Sequence, residues 1–246
     1  MIVNKSLVYL SIIFTCIIKS AYSVEHSEFV TVEGKNFYLE GKKYFYMGAN
    51  YWVGMNLGAP DSGDVERLRY ELDDLVTMGA KNLRIMGSSQ GPDDRQRRIV
   101  PSLEYGKEQY NDDLWKGLDV FLDEMGKRGM KAVVTLNNFW EWSGGFGQLN
   151  EWYKNSFSRY PVNFYGEKNQ TDHLKRFITK IINRRNTVND RIYRDDPTIM
   201  AWQLANEPRA RDCTVWANWV NDTSKHIHEL DPNHLVSIGN EGTITQ

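Results

Sequence analysis

Cysteine is nearly absent: the 246 residues carry two, Cys16 and Cys213. Cys16 falls in an apolar N-terminal segment, so a chain that loses this segment keeps Cys213 alone and no internal disulfide can form. Long apolar runs are missing as well. The most apolar stretch, Leu7 to Ile18, is shorter than the roughly 20 residues a membrane span needs. Charge of one sign is not in excess, with 30 basic against 32 acidic residues. That balance supplies no field for steering toward nucleic acid or a membrane surface, and neither partner is expected. The five histidines are scattered. His226 and His228, two apart on a helix, point to different faces and cannot chelate together, so no metal or other cofactor is expected. No Gly-rich phosphate loop follows the first strand, and no Gly-x-Ser-x-Gly elbow occurs.

The N-terminus reads as a secretory signal peptide over residues 1–23. Lys5 precedes the apolar run, and Lys19-Ser20-Ala21-Tyr22-Ser23 supplies small residues for cleavage. An uncleaved anchor is the alternative. The mature chain, 24–246, is then expected to be one secreted, extracellular, monomeric domain, with Cys213 either buried or paired outside this sequence. Two sequons, at Asn169 and Asn221, fit exposed turns. Arg95-Gln96-Arg97-Arg98 reads as a solvated loop.

Strands and helices alternate along the mature chain. A hairpin is expected over Phe29–Val32 and Phe37–Leu39, with Glu40-Gly41 as its turn. Core strands follow at Tyr44–Ala49, Asn82–Met86, Lys131–Leu136, Ile199–Leu204 and His234–Ile238. Amphipathic helices fall at Asp64–Met78, Asp112–Arg128, about Asp172–Asn183 and Trp216–Leu230. Gly144-Gly145-Phe146-Gly147 reads as a flexible loop. This alternation predicts an α/β fold with a parallel sheet and a ligand site at the strand C-termini.

Polar and indole side chains collect after each strand: Asn50, Tyr51 and Trp52; Asn137, Asn138, Trp140 and Trp142; Asn206 and Glu207; Asn240 and Glu241. Arg84 lies within the second strand. The most informative segment is Trp202-Gln203-Leu204-Ala205-Asn206-Glu207-Pro208-Arg209. A strand buried on both faces has no use for an interior carboxylate, whereas its C-terminal mouth can hold Glu207 rigidly and present it to a ligand. Trp52, Trp140, Trp142 and Trp152 are candidate platforms for the apolar faces of sugar rings, flanked by amides and carboxylates that suit hydroxyl groups.

These segments resemble the endo-1,4-β-mannosidases of glycoside hydrolase family 5. Gly48–Trp52, Asn82–Gly87, Leu136–Trp140 with Gly144-Gly145, Trp202–Arg209 and Ser237–Gly242 carry the resemblance. It implies a (β/α)8 TIM barrel truncated after its fifth strand, and a retaining hydrolase of β-1,4-mannan, galactomannan or glucomannan. It further implies Glu207 as proton donor and general base, and Asn206 and Trp52 as sugar contacts. Arg84 would organise the carboxylates; Asn137, Trp140 and Glu241 are the remaining substrate-binding candidates. A retaining mechanism needs a second carboxyl group about 5–5.5 Å from the first, and the family's nucleophile belongs to a later strand. Glu241 is better suited to support than to attack. Met86 departs from the aromatic residue common in relatives. Cleavage of β-1,4-glucan and non-catalytic glycan binding stay open as alternatives.

Overall fold

The computed structural model describes residues 28–242; the signal-peptide reading and Cys16 lie outside them. Five parallel strands form one sheet in sequential order: β4 (Met47–Tyr51), β5 (Ala80–Met86), β8 (Lys131–Thr135), β9 (Ile199–Gln203) and β10 (Leu235–Ser237). Each is joined to the next by a helical crossover, which forces the parallel arrangement; the connection after β5 also carries a small antiparallel hairpin of β6 (Glu104–Gly106) and β7 (Gln109–Tyr110). The sheet is an α/β arc of the (β/α) barrel type. It does not close among the described residues, and β4 and β10 are its edges.

Helices cover the convex face. They are α2 (Val65–Thr77), α3 (Asp112–Lys127), α5 (Lys168–Ile182) and α6 (Cys213–Leu230); the short α1 (Gly54–Gly58) packs beside α3. Their starts are built into the sequence. Asp64, Asn111 and Asp212 each accept backbone N–H groups from the first turn of the following helix, satisfying donors a helix leaves unpaired. Leu83 and Ile85 of β5, Val134 of β8 and Trp202 of β9 join Leu118, Phe121 and Ile178 in the main core. Asp119 is fully buried there and accepts from Arg184 Nε at 2.8 Å and Nη2 at 2.6 Å, and from the Tyr193 hydroxyl at 2.6 Å. No described helix is long and apolar enough to cross a membrane.

The concave face is different. A small cluster of Val30, Met200 and Ala201, with Leu39, Tyr44, Val133 and Leu235 packed on it, closes its foot. Above that, an open trough of about 830 Å³ runs between the sheet edges, lined among others by Asn50, Asn82, Arg84, Gln203 and Ser237.

The structure corrects several expectations. Glu40-Gly41 joins β2 (Asn36–Leu39) to β3 (Lys42–Lys43), while β1 (Thr31–Glu33) meets β2 through the preceding turn. The segment after Gly144 is not a flexible loop: α4 (Gly145–Lys154) is a helix whose first five residues are buried. Its glycines are required by geometry. Gly144 and Gly145 have φ of +83° and +58°, and a Cβ on Gly145 would lie 2.1 Å from the Asn138 carbonyl oxygen. Both sequons sit in helices rather than turns, and Thr223 of the second is buried. Cys213 is exposed, not buried.

Candidate functional site

The strand leading to Glu207 is anchored from the convex side. Trp202 Nε1 donates to Asp231 Oδ2 at 2.6 Å, and the same oxygen lies 2.7 Å from His234 Nδ1. Burial would raise the carboxyl pKa of Asp231, but these hydrogen bonds outweigh it and hold the pKa below its ordinary value. Beyond the last strand residue the backbone stays tied to both neighbours. Asn206 N donates to the Asn137 carbonyl at 2.8 Å, and Glu207 N to that of Gly239 at 2.9 Å. Glu207 has φ of +52°, a left-handed conformation that an ordinary side chain adopts at a cost. This turn throws its carboxylate out of the strand direction, where Trp140 Nε1 donates to Oε2 at 2.5 Å.

A polar relay runs behind that carboxylate. Arg84 donates from Nη2 to Asn206 Oδ1 at 2.9 Å and from Nε to Gln203 Oε1 at 2.7 Å, while its guanidinium lies 4.9 Å from the Trp52 ring centre. Gln203 also accepts from Thr135 Oγ1 at 3.2 Å and donates to Ser237 Oγ at 3.2 Å. Asn206 Nδ2 donates to Asn138 Oδ1 at 3.0 Å, which also accepts from Trp140 N at 3.0 Å. Asn138 Nδ2 in turn donates to Ser143 Oγ at 2.9 Å. The side-chain amides of Gln203, Asn206 and Asn138 each both donate and accept within this relay, which fixes their orientation before any ligand arrives. Burial lowers the Arg84 pKa, and the neighbouring Glu207 charge partly offsets that.

Glu207 opens onto a cleft of about 420 Å³, whose lining includes Tyr160, Arg209, Cys213, Trp216, Asn240 and Glu241. Arg209 stacks 4.7 Å from the Trp140 ring centre and grips Glu241 with two bonds of 2.6 Å. Hydrogen bonding to Arg209 therefore holds the Glu241 pKa below its usual range. Glu207 and Glu241 are the two carboxylates on this cleft, and the second is already neutralised.

The structure thus brings Glu207, Asn206, Arg84, Trp52, Trp140, Asn137 and Glu241 to one end of the sheet, though not to equal positions. Asn137 is almost fully buried beneath the others, and its side chain accepts from the Asn138 backbone N–H at 2.7 Å. Trp142 joins Trp52, ring centres 5.8 Å apart. Trp152 does not; it packs on α4 against His173. Tyr51 turns toward α2 and donates to Glu71. Sequence reasoning missed Gln203, although a lone amide near the end of an apolar strand, four residues before Glu207, was a signal. It also missed Tyr160, which no pattern marked. Among the described residues no group of three His, Cys, Asp or Glu converges on a common point.

Comparison with known proteins is specific. The chain is 31% identical over 218 residues to mannan endo-1,4-beta-mannosidase 1 of Arabidopsis thaliana, covering 87% of this chain and 51% of that protein. Among solved structures, a glycoside hydrolase family 5 mannosidase from Rhizomucor miehei superposes with a TM-score of 0.83 at 40% identity, over 89% of this chain and 58% of that one. A variant of that enzyme has been solved with mannosyl-fructose. The endo-1,4-beta-mannanase of the same organism matches with a TM-score of 0.74 at 27% identity, over 89% and 62%. The chain spans about half the length of the plant relative and about three fifths of the solved ones. The family model for GH family 5 beta-mannosidase-like proteins matches residues 27–246, and the chain belongs to that family.

Proposed function

We propose that this chain carries the acid/base half of a retaining β-mannoside hydrolase acting on β-1,4-linked mannan, galactomannan or glucomannan. The observation that carries the reading is the Glu207 carboxylate, held at a strand terminus in a left-handed turn with Trp140 on one oxygen and the Arg84–Asn206 relay behind it. In this reading Glu207 protonates the leaving glycosidic oxygen and then deprotonates water. Asn206 and Arg84 position sugar and charge, and Trp52 and Trp140 receive ring faces. Glu241 supports Arg209 and is not the nucleophile, because both its oxygens are engaged. The second carboxylate is supplied from outside the described residues. The leader sequence supports export of the protein.

A second reading concerns substrate length. Identity is 40% to the Rhizomucor mannosidase and 27% to the endo-mannanase, which favours short mannosides over long chains.

Two measurements test these readings. Cys213 lines the Glu207 cleft, so mannopentaose should slow its reaction with a thiol reagent, whereas cellopentaose should do so less. Equal protection would move the assignment to glucans, and no protection would remove glycan from this cleft. Any form of the protein that cleaves galactomannan should lose that activity with Glu207→Gln. Faster turnover of mannobiose than of galactomannan would select the short-substrate reading.

A further inference from the structure

The Arg95–Arg98 segment is a solvated loop only in part: Gln96 and Arg97 are exposed, but Arg95 and Arg98 are half-buried and tied down. Arg95 pairs with Glu151 of α4, and Arg98 donates from Nη1 to Gln148 Oε1 at 2.8 Å and to the Gln90 carbonyl at 3.1 Å. Together with Arg159 these residues surround a second cleft, of about 430 Å³, with Phe157 in its wall and Glu141 as its one carboxylate. Arg95 and Arg98 stand 4.8 and 5.2 Å from the Phe157 ring centre.

Its charges are unevenly matched. Arg95 has Glu151, and Arg159 reaches Glu141 at 3.5 Å. Arg98 has no carboxylate within ion-pair distance among the described residues; Glu151, Glu141 and Asp94 act on it only from further away. Its Nη2 is buried without a hydrogen-bond partner. A half-buried guanidinium whose charge no paired carboxylate neutralises is costly, and an anion in the cleft beside it would offset that cost. Arg97 is exposed and forms neither hydrogen bond nor ion pair among the described residues, and it is held at φ of +65°.

This cleft adjoins that of Glu207 through chain neighbours. Glu141 and Arg159 line one side; their chain neighbours Trp140 and Tyr160 face the other, where Trp140 donates to Glu207 and Tyr160 lines the cavity. Ile99, directly after the arginines, donates its N–H to the Trp142 carbonyl at 2.9 Å. A glycan on Glu207 therefore lies beside residues whose chain neighbours line the arginine cleft.

We propose that this cleft is a subsite for an acidic sugar, a uronate unit carried by the glycan. Its carboxylate would bridge Arg97 and Arg98 in the paired geometry guanidinium favours, and the C–H face of its ring would lie on Phe157. The inference rests on the glycan reading of the Glu207 cleft, and one titration series separates the two. With the Glu207→Gln chain, calorimetry would compare glucuronate with glucose, and a glucuronate-substituted mannopentaose with the plain one. Inorganic phosphate serves as the anion control. We expect the substituted pentaose to bind about tenfold more tightly than the plain one at low salt, with the preference shrinking as salt rises. Arg97→Glu should erase that preference and leave plain-pentaose binding unchanged. Arg97→Gly removes the charge while suiting the left-handed backbone, so it should erase the preference in a chain at least as stable. Equal affinities for the two pentaoses would overturn the acidic subsite while leaving the glycan reading intact. Phosphate matching glucuronate would overturn the sugar class. Failure of the plain pentaose to bind would overturn the glycan reading itself, and the glucuronate–glucose comparison would still decide the arginine cleft.

Discussion

The two faces of the same five strands obey opposite rules. On the convex face Leu83, Ile85, Val134 and Trp202 are at most 1% exposed, sealed under helices. On the concave face Arg84, Gln203 and Ser237 stand in an open trough and form the relay that reaches Asn206. Burial chiefly dictates the first face, since at Leu83, Ile85 and Val134 any apolar side chain of the right volume would serve, while the Trp202 indole also donates to Asp231. The second is dictated by hydrogen-bond geometry. A fold and a site can therefore share one strand without sharing a constraint.

That contrast can be broken or sharpened, beginning where the effect is largest. In any form of the protein that cleaves mannan, Glu207→Gln should, on the proposed role of Glu207, reduce turnover by about 10²–10⁴-fold, the range for removing a general acid/base. It should leave the urea midpoint nearly unchanged, and a large loss of stability would show that the concave face is structural after all. On the convex side Asp119→Asn should cost about 3–5 kcal/mol, because Arg184 would be left buried without its charge partner; equilibrium unfolding measures it. A paired test on one strand is sharper still. Val134→Thr, facing the helices, should cost about 1–3 kcal/mol for the buried hydroxyl. Its neighbour Val133→Thr, on the trough, should stay within about 0.5 kcal/mol, and equal costs for the two would dissolve the distinction between the faces.

The last prediction concerns acid. Burial would raise the Glu124 pKa, but Arg128, Lys127 and Arg69 overcome this and set it at about 2. A carboxyl with a depressed folded-state pKa stabilises the native chain above its ordinary pKa, and that contribution fades as pH falls through the folded value. Stability should therefore drop between about pH 4.5 and 2, and Glu124→Gln should flatten this part of the profile.

The convex face was also the legible one. Helical stripes placed α2 and α3, and apolar runs placed four of the five strands, close to their observed bounds, because burial writes periodicity into sequence. The first strand, expected at Tyr44–Ala49, runs Met47–Tyr51 and takes in Asn50 and Tyr51. Glu207 and Asn206 were legible for a different reason, as a carboxylate and an amide ending an apolar strand. Gln203 apart, what escaped had no local signal. Gly144 to Gly147 has poor helix propensity, yet the helix forms because only glycine permits the backbone approach to Asn138. Arg95 and Arg98 look like surface charge until Glu151 and Gln148, some fifty residues later, are folded against them.

The left-handed backbone at Glu207 has an evolutionary corollary. An ordinary residue in that conformation costs roughly 1–2 kcal/mol that glycine would avoid. Glu207→Gly should make the chain sturdier while erasing the carboxylate. Selection for robustness alone would therefore drift toward glycine at this position, so the acid is held there against the interest of the fold.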